Sequence, residues 1–192
     1  MYKIIKLYRH GETVWNKEGR LQGWLDSPLT EYGKAQAKKQ TQQVELVFSS
    51  DLGRAVETAK LMFPQAQLLT DQRLREIYLG DWQGKLISVL TEQPDYKCYN
   101  ERPNDFVAHT QESFQAVTQR MQDFLDYLLT RDETKIAVVS HGVAIACLVT
   151  AIEELPLDLL WQDGLLEGGS CVTLVYEQHK WRIVRKKLPV VF

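Results

Sequence analysis

Residues 3–16 read KIIKLYRHGETVWN. Four large apolar side chains within five residues have the length and β-branched content of a buried strand. The strand runs directly into Arg9, His10 and Gly11, two polar residues that avoid a core and one that turns tightly. Residues 135–142, KIAVVSHG, repeat the pattern, with an uninterrupted apolar run ending in Ser140, His141 and Gly142. Continuous apolar runs of this kind belong to strands covered on both faces, as in a parallel sheet. Ligands of open α/β sheets collect at the carboxyl ends of such strands. Both imidazoles therefore fall on the edge where chemistry is expected, each beside a glycine that lets backbone approach a ligand.

The rest of the chain alternates strand and helix patterns. Residues 29–43, LTEYGKAQAKKQTQQ, predict a helix with Thr30 as N-cap. A strand is expected at 44–50, then a helix capped by Ser49 or Ser50 through DLGRAVETAKLMF and ended by Pro64. AQLLT at 66–70 predicts a short strand, and 71–112 reads as irregular with one short helix near 85–92. SFQAVTQRMQDFLDYLL at 113–129 carries a helical apolar stripe whose plain explanation is core packing. VAIACLVTAI continues from 142 as a helix, and SCVTLVYE and WRIVRKK form a hairpin across Gln178, His179 and Lys180. The pattern predicts an α/β three-layer sandwich, a mostly parallel central sheet with helices on both faces. No linker or repeat divides the chain, so 1–192 is expected to be a single domain.

Composition narrows the function classes. With 192 residues, 44% hydrophobic, 25% charged and a formal charge of −2, the chain is an ordinary globular protein without a basic surface for nucleic acid or anionic membrane. Three separated cysteines, Cys98, Cys147 and Cys171, suit reduced thiols better than a disulfide framework. No leader or membrane-spanning run is read, so a cytoplasmic protein is expected, as a monomer or homodimer.

The third strand, at 44–48, opens into a helix with Arg54 in its first turn. Arg9, Arg54, two histidines and a helix N-terminus then converge on one spot suited to a phosphate dianion. Singly, each residue has a plainer reading. A strand-end histidine is commonly a hydrogen-bonded structural residue, and Arg54 alone would be a solvated helix arginine. His109 and His179 keep that reading. A metal is not expected, because Arg9 and Arg54 would repel a divalent cation and no His-x-x-x-His accompanies them.

In order and spacing, LYRHGETVWN, LQGWLDSPLTEYGKAQA, VFSSDLGRAVETA, LREIYLGDWQG and VVSHGVAI resemble the histidine phosphatase superfamily, the branch of cofactor-dependent phosphoglycerate mutase and its phosphatase relatives. The resemblance covers nearly the whole chain, most weakly at 85–111. It implies a phosphoglycerate mutase-like fold, with His10 as the phosphorylated nucleophile. It also implies a phosphate pocket of Arg9, Arg54, His141 and Gly142, and Asn16 as an amide donor. Glu76 matches the proton donor, Thr13, Gln22 and Gly23 match pocket positions, and no cofactor or metal is implied.

That chemistry suits these residue types. Arginine offers planar, permanently charged, bidentate donors. His10 must attack as neutral imidazole, which neighbouring guanidiniums favour, with a carbonyl near Gly11 fixing its tautomer. Glu76, its carboxyl held protonated by a nearby dianion, would protonate the leaving group, and His141, if cationic, would stabilise transferred charge. Alternatively Glu76 pairs with Arg73 or Arg75 on the surface. Mutases of the family carry an extra segment with an adjacent arginine pair after the Glu-bearing motif, so by resemblance the short span from Glu76 to His141, without an Arg-Arg pair, implies a phosphatase acting on a small phosphorylated metabolite. The alternatives are a phosphoglycerate mutase or a catalytically weak regulatory member. Departures include Gln111 before Glu112-Ser113, Gly53 in the first turn of its helix, and VAIAC after Gly142. The segment at 91–110 is expected as a loop over the pocket, its tyrosines either touching substrate or packed for stability.

Overall fold

The computed structural model describes residues 2–39, 44 and 46–186. Six strands form one sheet: β1 Lys3–Arg9, β2 Leu46–Ser49, β3 Gln67–Thr70, β4 Lys135–Ser140, β5 Cys171–Glu177 and β6 Lys180–Lys186. Their order is β3-β2-β4-β1-β5-β6. The first four in that order run parallel, and β5 and β6 add an antiparallel edge beside β1. The helices are α1 Val14–Lys17, α2 Glu31–Lys38, α3 Gly53–Met62, α4 Ile87–Leu90, α5 Pro94–Glu101, α6 Phe114–Leu129 and α7 Gly142–Ile152.

Strand alternation sorts the core into two layers. Ile5, Leu7, Phe48, Ile136 and Val138 pack with the apolar stripes of α6 and α7. The side chains between them, Tyr8, Val47, Ala137 and Val139, pack on the opposite face with Ala37 of α2 and Ala55, Ala59 and Met62 of α3. The expected three-layer α/β architecture is therefore present. The α6 stripe (Phe114, Val117, Met121, Phe124, Leu125, Leu128) is buried throughout, as core packing requires.

Register decides where the chemistry lies. Arg9 of β1 pairs with Ser140 of β4. The next residue of each strand, His10 and His141, therefore emerges at the same height on neighbouring strands. The His10 N–H donates to the Ser140 carbonyl (3.0 Å), which fastens the two strand ends together.

Several boundaries differ from the sequence expectation. Helix α2 stops at Lys38 with Thr30 as its cap, and β2 begins at Leu46; residues 40–43 and 45, within the expected helix and strand, lie outside the described residues. The N-cap of α3 is Leu52 rather than Ser49 or Ser50 and makes no side-chain cap. Asp26, from a distant loop, instead accepts the Arg54 N–H of the first turn (3.3 Å). The segment expected to be irregular contains α5 over 94–101, with Pro94 in its first turn. Pro94 is the first helical residue, where a missing N–H costs nothing. The hairpin turn is two residues, Gln178 and His179, both at positive φ, with Lys180 already in β6. All three cysteines are free thiols. No helix among the described residues is long and apolar enough to cross a membrane.

The segment after His10 is held by backbone contact with α2. A Cβ on Gly33 would lie 2.0 Å from the Glu12 carbonyl oxygen, and one on Gly11 would lie 2.4 Å from the Gly33 carbonyl oxygen. Gly33→Ala should therefore destabilise the protein by about 1–3 kcal/mol in thermal or urea unfolding. Alanine's helix propensity alone would stabilise by about 1 kcal/mol. A stability gain would show that the two backbones do not touch.

Candidate active site

The carboxyl end of β1 and the first turns of α3 and α7, which follow β2 and β4, line a cavity of about 470 Å³. Seven of the residues singled out from the sequence line it: Arg9, His10, Asn16, Gln22, Gly23, Arg54 and Glu76. Thr13, His141 and Gly142 do not. Thr13 is buried and caps α1, His141 lies fully buried beside His10, and Gly142 begins α7 against the Arg9 guanidinium.

Nδ1 of His10 lies 2.8 Å from the Gly11 carbonyl, to which it donates. That bond leaves Nε2 as the ring's lone-pair nitrogen, and Nε of Arg54 donates to it at 3.3 Å. Burial, then Arg54, then Arg9 hold the His10 pKa well below the ordinary histidine value. The guanidinium effect read from the sequence is real but comes second to desolvation. Thr58 of α3 secures the next residue, accepting the Gly11 N–H (3.1 Å) and donating to the Arg54 carbonyl (2.7 Å).

Arg54 is 2% exposed. Its Nη1 donates to the Leu25 carbonyl (2.9 Å) and to Asp26 (2.8 Å), and its Nη2 to the Gly23 carbonyl (2.7 Å). Nε–H and one Nη2–H remain on the side of His10. A Cβ on Gly53 would lie 2.6 Å from Asp26, so the glycine that weakens the first turn of α3 admits the carboxylate bracing Arg54. Arg9 donates to the Leu166 carbonyl, while its buried Nε has no protein partner.

His141 stands 5.0 Å from His10, ring centre to ring centre. Neither of its ring nitrogens has a protein hydrogen-bond partner. Burial, with Arg54 next, pushes its pKa well below the ordinary value. Of the two states that the sequence left open for His141, burial favours the neutral ring.

Glu76 pairs with neither nearby arginine. Arg73 is bound to Asp71, and Arg75 to Asp51. Its carboxylate sits instead on the first turn of α7, where Oε1 accepts from Ile77 N (3.0 Å) and Ala144 N (3.0 Å), and Oε2 from Val143 N (3.2 Å). Oε2 therefore has one more open lone pair than Oε1. Asn16 is oriented in the same way: Thr13 N and Oγ1 donate to its Oδ1 (3.1 and 3.0 Å), which leaves Nδ2 for the cavity that Asn16 lines.

Sequence reading missed Asp26, Thr58, Glu112 and Arg120. Arg120 of α6 makes five hydrogen bonds: two to Glu112, and one each to the carbonyls of Arg73, Arg75 and Glu76. Glu112 also accepts the Tyr78 N–H (3.1 Å), so the pair clamps the segment carrying Glu76. An arginine eight residues after Glu112, on the margin of the apolar stripe of α6, was the available signal. Among the described residues no three His, Cys, Asp or Glu side chains cluster so as to hold a metal ion.

The family model described as the histidine phosphatase superfamily (branch 1) matches residues 5–188. A protein of Cronobacter sakazakii named probable phosphoglycerate mutase GpmB is 36% identical over 190 residues, covering 92% of this chain and 86% of its own. Among solved structures, Bacillus stearothermophilus YhfR superposes with a TM-score of 0.90 at 32% identity over 98% of each chain. A mycobacterial glucosyl-3-phosphoglycerate phosphatase superposes with 0.84 at 27% identity, covering 98% of this chain and all of its own.

Both site imidazoles should titrate below the ordinary histidine value, with His10 as the Nδ1–H tautomer when neutral; ¹⁵N chemical shifts read this directly. The sign for stability follows. Unfolded histidines titrate near 6.5 while the folded rings resist protonation. This contribution is complete above about 6.5 and declines as pH falls toward the folded pKa values. Titration of either folded ring at or above 6.5 would contradict the burial argument.

Proposed function

The chain belongs to the histidine phosphatase superfamily (branch 1), and from that premise we propose that it hydrolyses phosphomonoesters of small metabolites through a phosphohistidine on His10, without a metal or cofactor. The observation that carries this reading is Nε2 of His10. It is held as a neutral lone pair by the Gly11 carbonyl and faces a cavity that also contains Arg9, Arg54 and Glu76.

In the first step Nε2 attacks phosphorus and the bond to the ester oxygen breaks. Nε–H and the free Nη2–H of Arg54, with the uncommitted donors of Arg9, take the equatorial oxygens, where charge collects. Asn16 Nδ2 adds a neutral donor from the cavity lining, and His141, outside that lining but 5.0 Å from His10 with both ring nitrogens unpartnered, adds an N–H to the phosphate seated on His10. His141 then gains the partner that the protein does not supply, which lowers the cost of its buried nitrogens. The departing oxygen takes a proton from the Glu76 carboxyl, carried on the open lone pair of Oε2. In the second step water attacks phosphorus, Glu76 accepts its proton, the P–Nε2 bond breaks, and inorganic phosphate and neutral His10 are restored.

The mutase names of the curated relatives favour a second reading, transfer within phosphoglycerate. A mutase must hold the substrate carboxylate and shield phosphohistidine from water. Beyond the phosphate end, the charged residue lining the cavity is Arg20, which already bonds Glu18 (3.3 Å) and the Gly84 carbonyl. Hydrolysis is the better supported.

His10→Ala should abolish phosphate release with the fold retained by circular dichroism. The wild type should trap an acid-labile, base-stable phosphoenzyme, and the same adduct in His10→Ala would assign the nucleophile elsewhere. Glu76→Gln should lower turnover of alkyl phosphates by about 10²–10⁴ and that of aryl phosphates much less, since a phenolate leaves without a proton. Equal losses would remove Glu76 from the acid role. Incubation with 3-phosphoglycerate should release phosphate without forming the 2-isomer.

A further inference from the structure

The part of the cavity beyond the phosphate end carries information about the leaving group. Its walls are Leu79, Ile87, Val143, Trp161 and Leu165, with Tyr96 and Tyr99 along one side of α5. The charged residues lining the whole cavity are Arg9, Arg54, Glu76 and Arg20. The first three belong to the phosphate end. Arg20 is turned to Glu18 and the Gly84 carbonyl, with its guanidinium 5.7 Å from the centre of the Trp15 ring. A substrate carboxylate or second phosphate entering here would lose water against a single partly exposed cation that it must share with Glu18.

The aromatic wall is fixed before any ligand arrives. Tyr99 packs against Phe114 (4.8 Å) and Trp161 (5.5 Å), and Tyr96 lies 5.3 Å from Trp82. The indole N–H of Trp161 donates to the Tyr99 carbonyl (3.1 Å), which sets the plane of that ring at the cavity. Such a wall receives a flat apolar body without the entropy cost of ordering loose side chains. One polar group interrupts it. Asn100 donates from Nδ2 to the Tyr96 carbonyl (2.7 Å), leaving its Oδ1 to accept from a hydroxyl or N–H donor.

We propose that the physiological substrate is a phosphomonoester whose leaving group is uncharged and bears an apolar ring, seated against the wall that α5 and Trp161 form together, with a hydrogen-bond donor near Asn100. This rests on the phosphatase reading above and names the substrate class of that same site. Size agrees, since about 470 Å³ accommodates a ring system as well as a phosphate. The alternative occupant, a short carboxylated ester, would leave the apolar walls unfilled.

The test compares two primary alkyl esters, 2-phenylethyl phosphate and 3-phosphoglycerate, so that leaving-group acidity does not decide the result. The expected kcat/KM ratio favours the phenyl ester by about 10-fold or more. Ile87→Lys, at a half-exposed wall position, should shrink that ratio several-fold by placing a cation there. A ratio of one or less in the wild type overturns the proposal. A parallel binding arm uses non-hydrolysable 3-phenylpropylphosphonate and 3-carboxypropylphosphonate in titration calorimetry. Tighter binding of the phenyl compound without turnover of either ester would sink the hydrolase reading and uphold the cavity assignment. Equal affinities, tighter binding of the carboxylate, or no binding of either compound would overturn the assignment itself.

Discussion

A guanidinium removed from water must find acceptors, and the way Arg54 finds them organises the site. Two separate pieces of chain converge to meet it: the loop at 23–26, with the carbonyls of Gly23 and Leu25 and the carboxylate of Asp26, and the end of β1, with the imidazole of His10. Removing one partner from such a buried cation typically costs about 3–5 kcal/mol, far more than a surface ion pair contributes. The loop before α2, the start of α3 and the end of β1 are therefore interdependent. Gly53 belongs to the same constraint, because a side chain there would drive Asp26 away.

The same cluster sets the protonation of the histidines. Two imidazoles 5.0 Å apart among two arginines cannot both hold charge once buried. Nitrogen lone pairs are thereby conserved, and the cavity's positive charge is confined to side chains that do not titrate near neutrality. The positive field is fixed while His10 stays uncharged, the combination that the proposed attack on a dianion requires.

Glu76 is held by a different device. Its carboxylate rests on the N–H groups that begin α7, so a helix end serves as its receptor. Its backbone is fixed from the other side by Arg120, whose five donors are spent on Glu112 and on three carbonyls of the segment. Both partners are largely buried, at 16% side-chain exposure each, so the clamp is little weakened by solvent. The carboxyl is thus held at the cavity by the N-terminus of α7 and its backbone by Arg120 of α6.

The fold class and the placing of His10 and His141 were legible in the sequence, because strand periodicity and a His-Gly ending are local patterns. Arg9, Arg54 and Thr30 followed for the same reason, each lying within a turn of a recognisable element boundary. The sequence alone did not contain the register that pairs Arg9 with Ser140 or the acceptors around Arg54. Nor did it reveal the neutrality of His141 or the support that Arg120 gives Glu76. Each of these joins residues far apart in the chain, and hydrogen bonding and desolvation depend on what surrounds a group in space. Which side chains bear function was written locally, whereas their charge state and aim came from burial and packing.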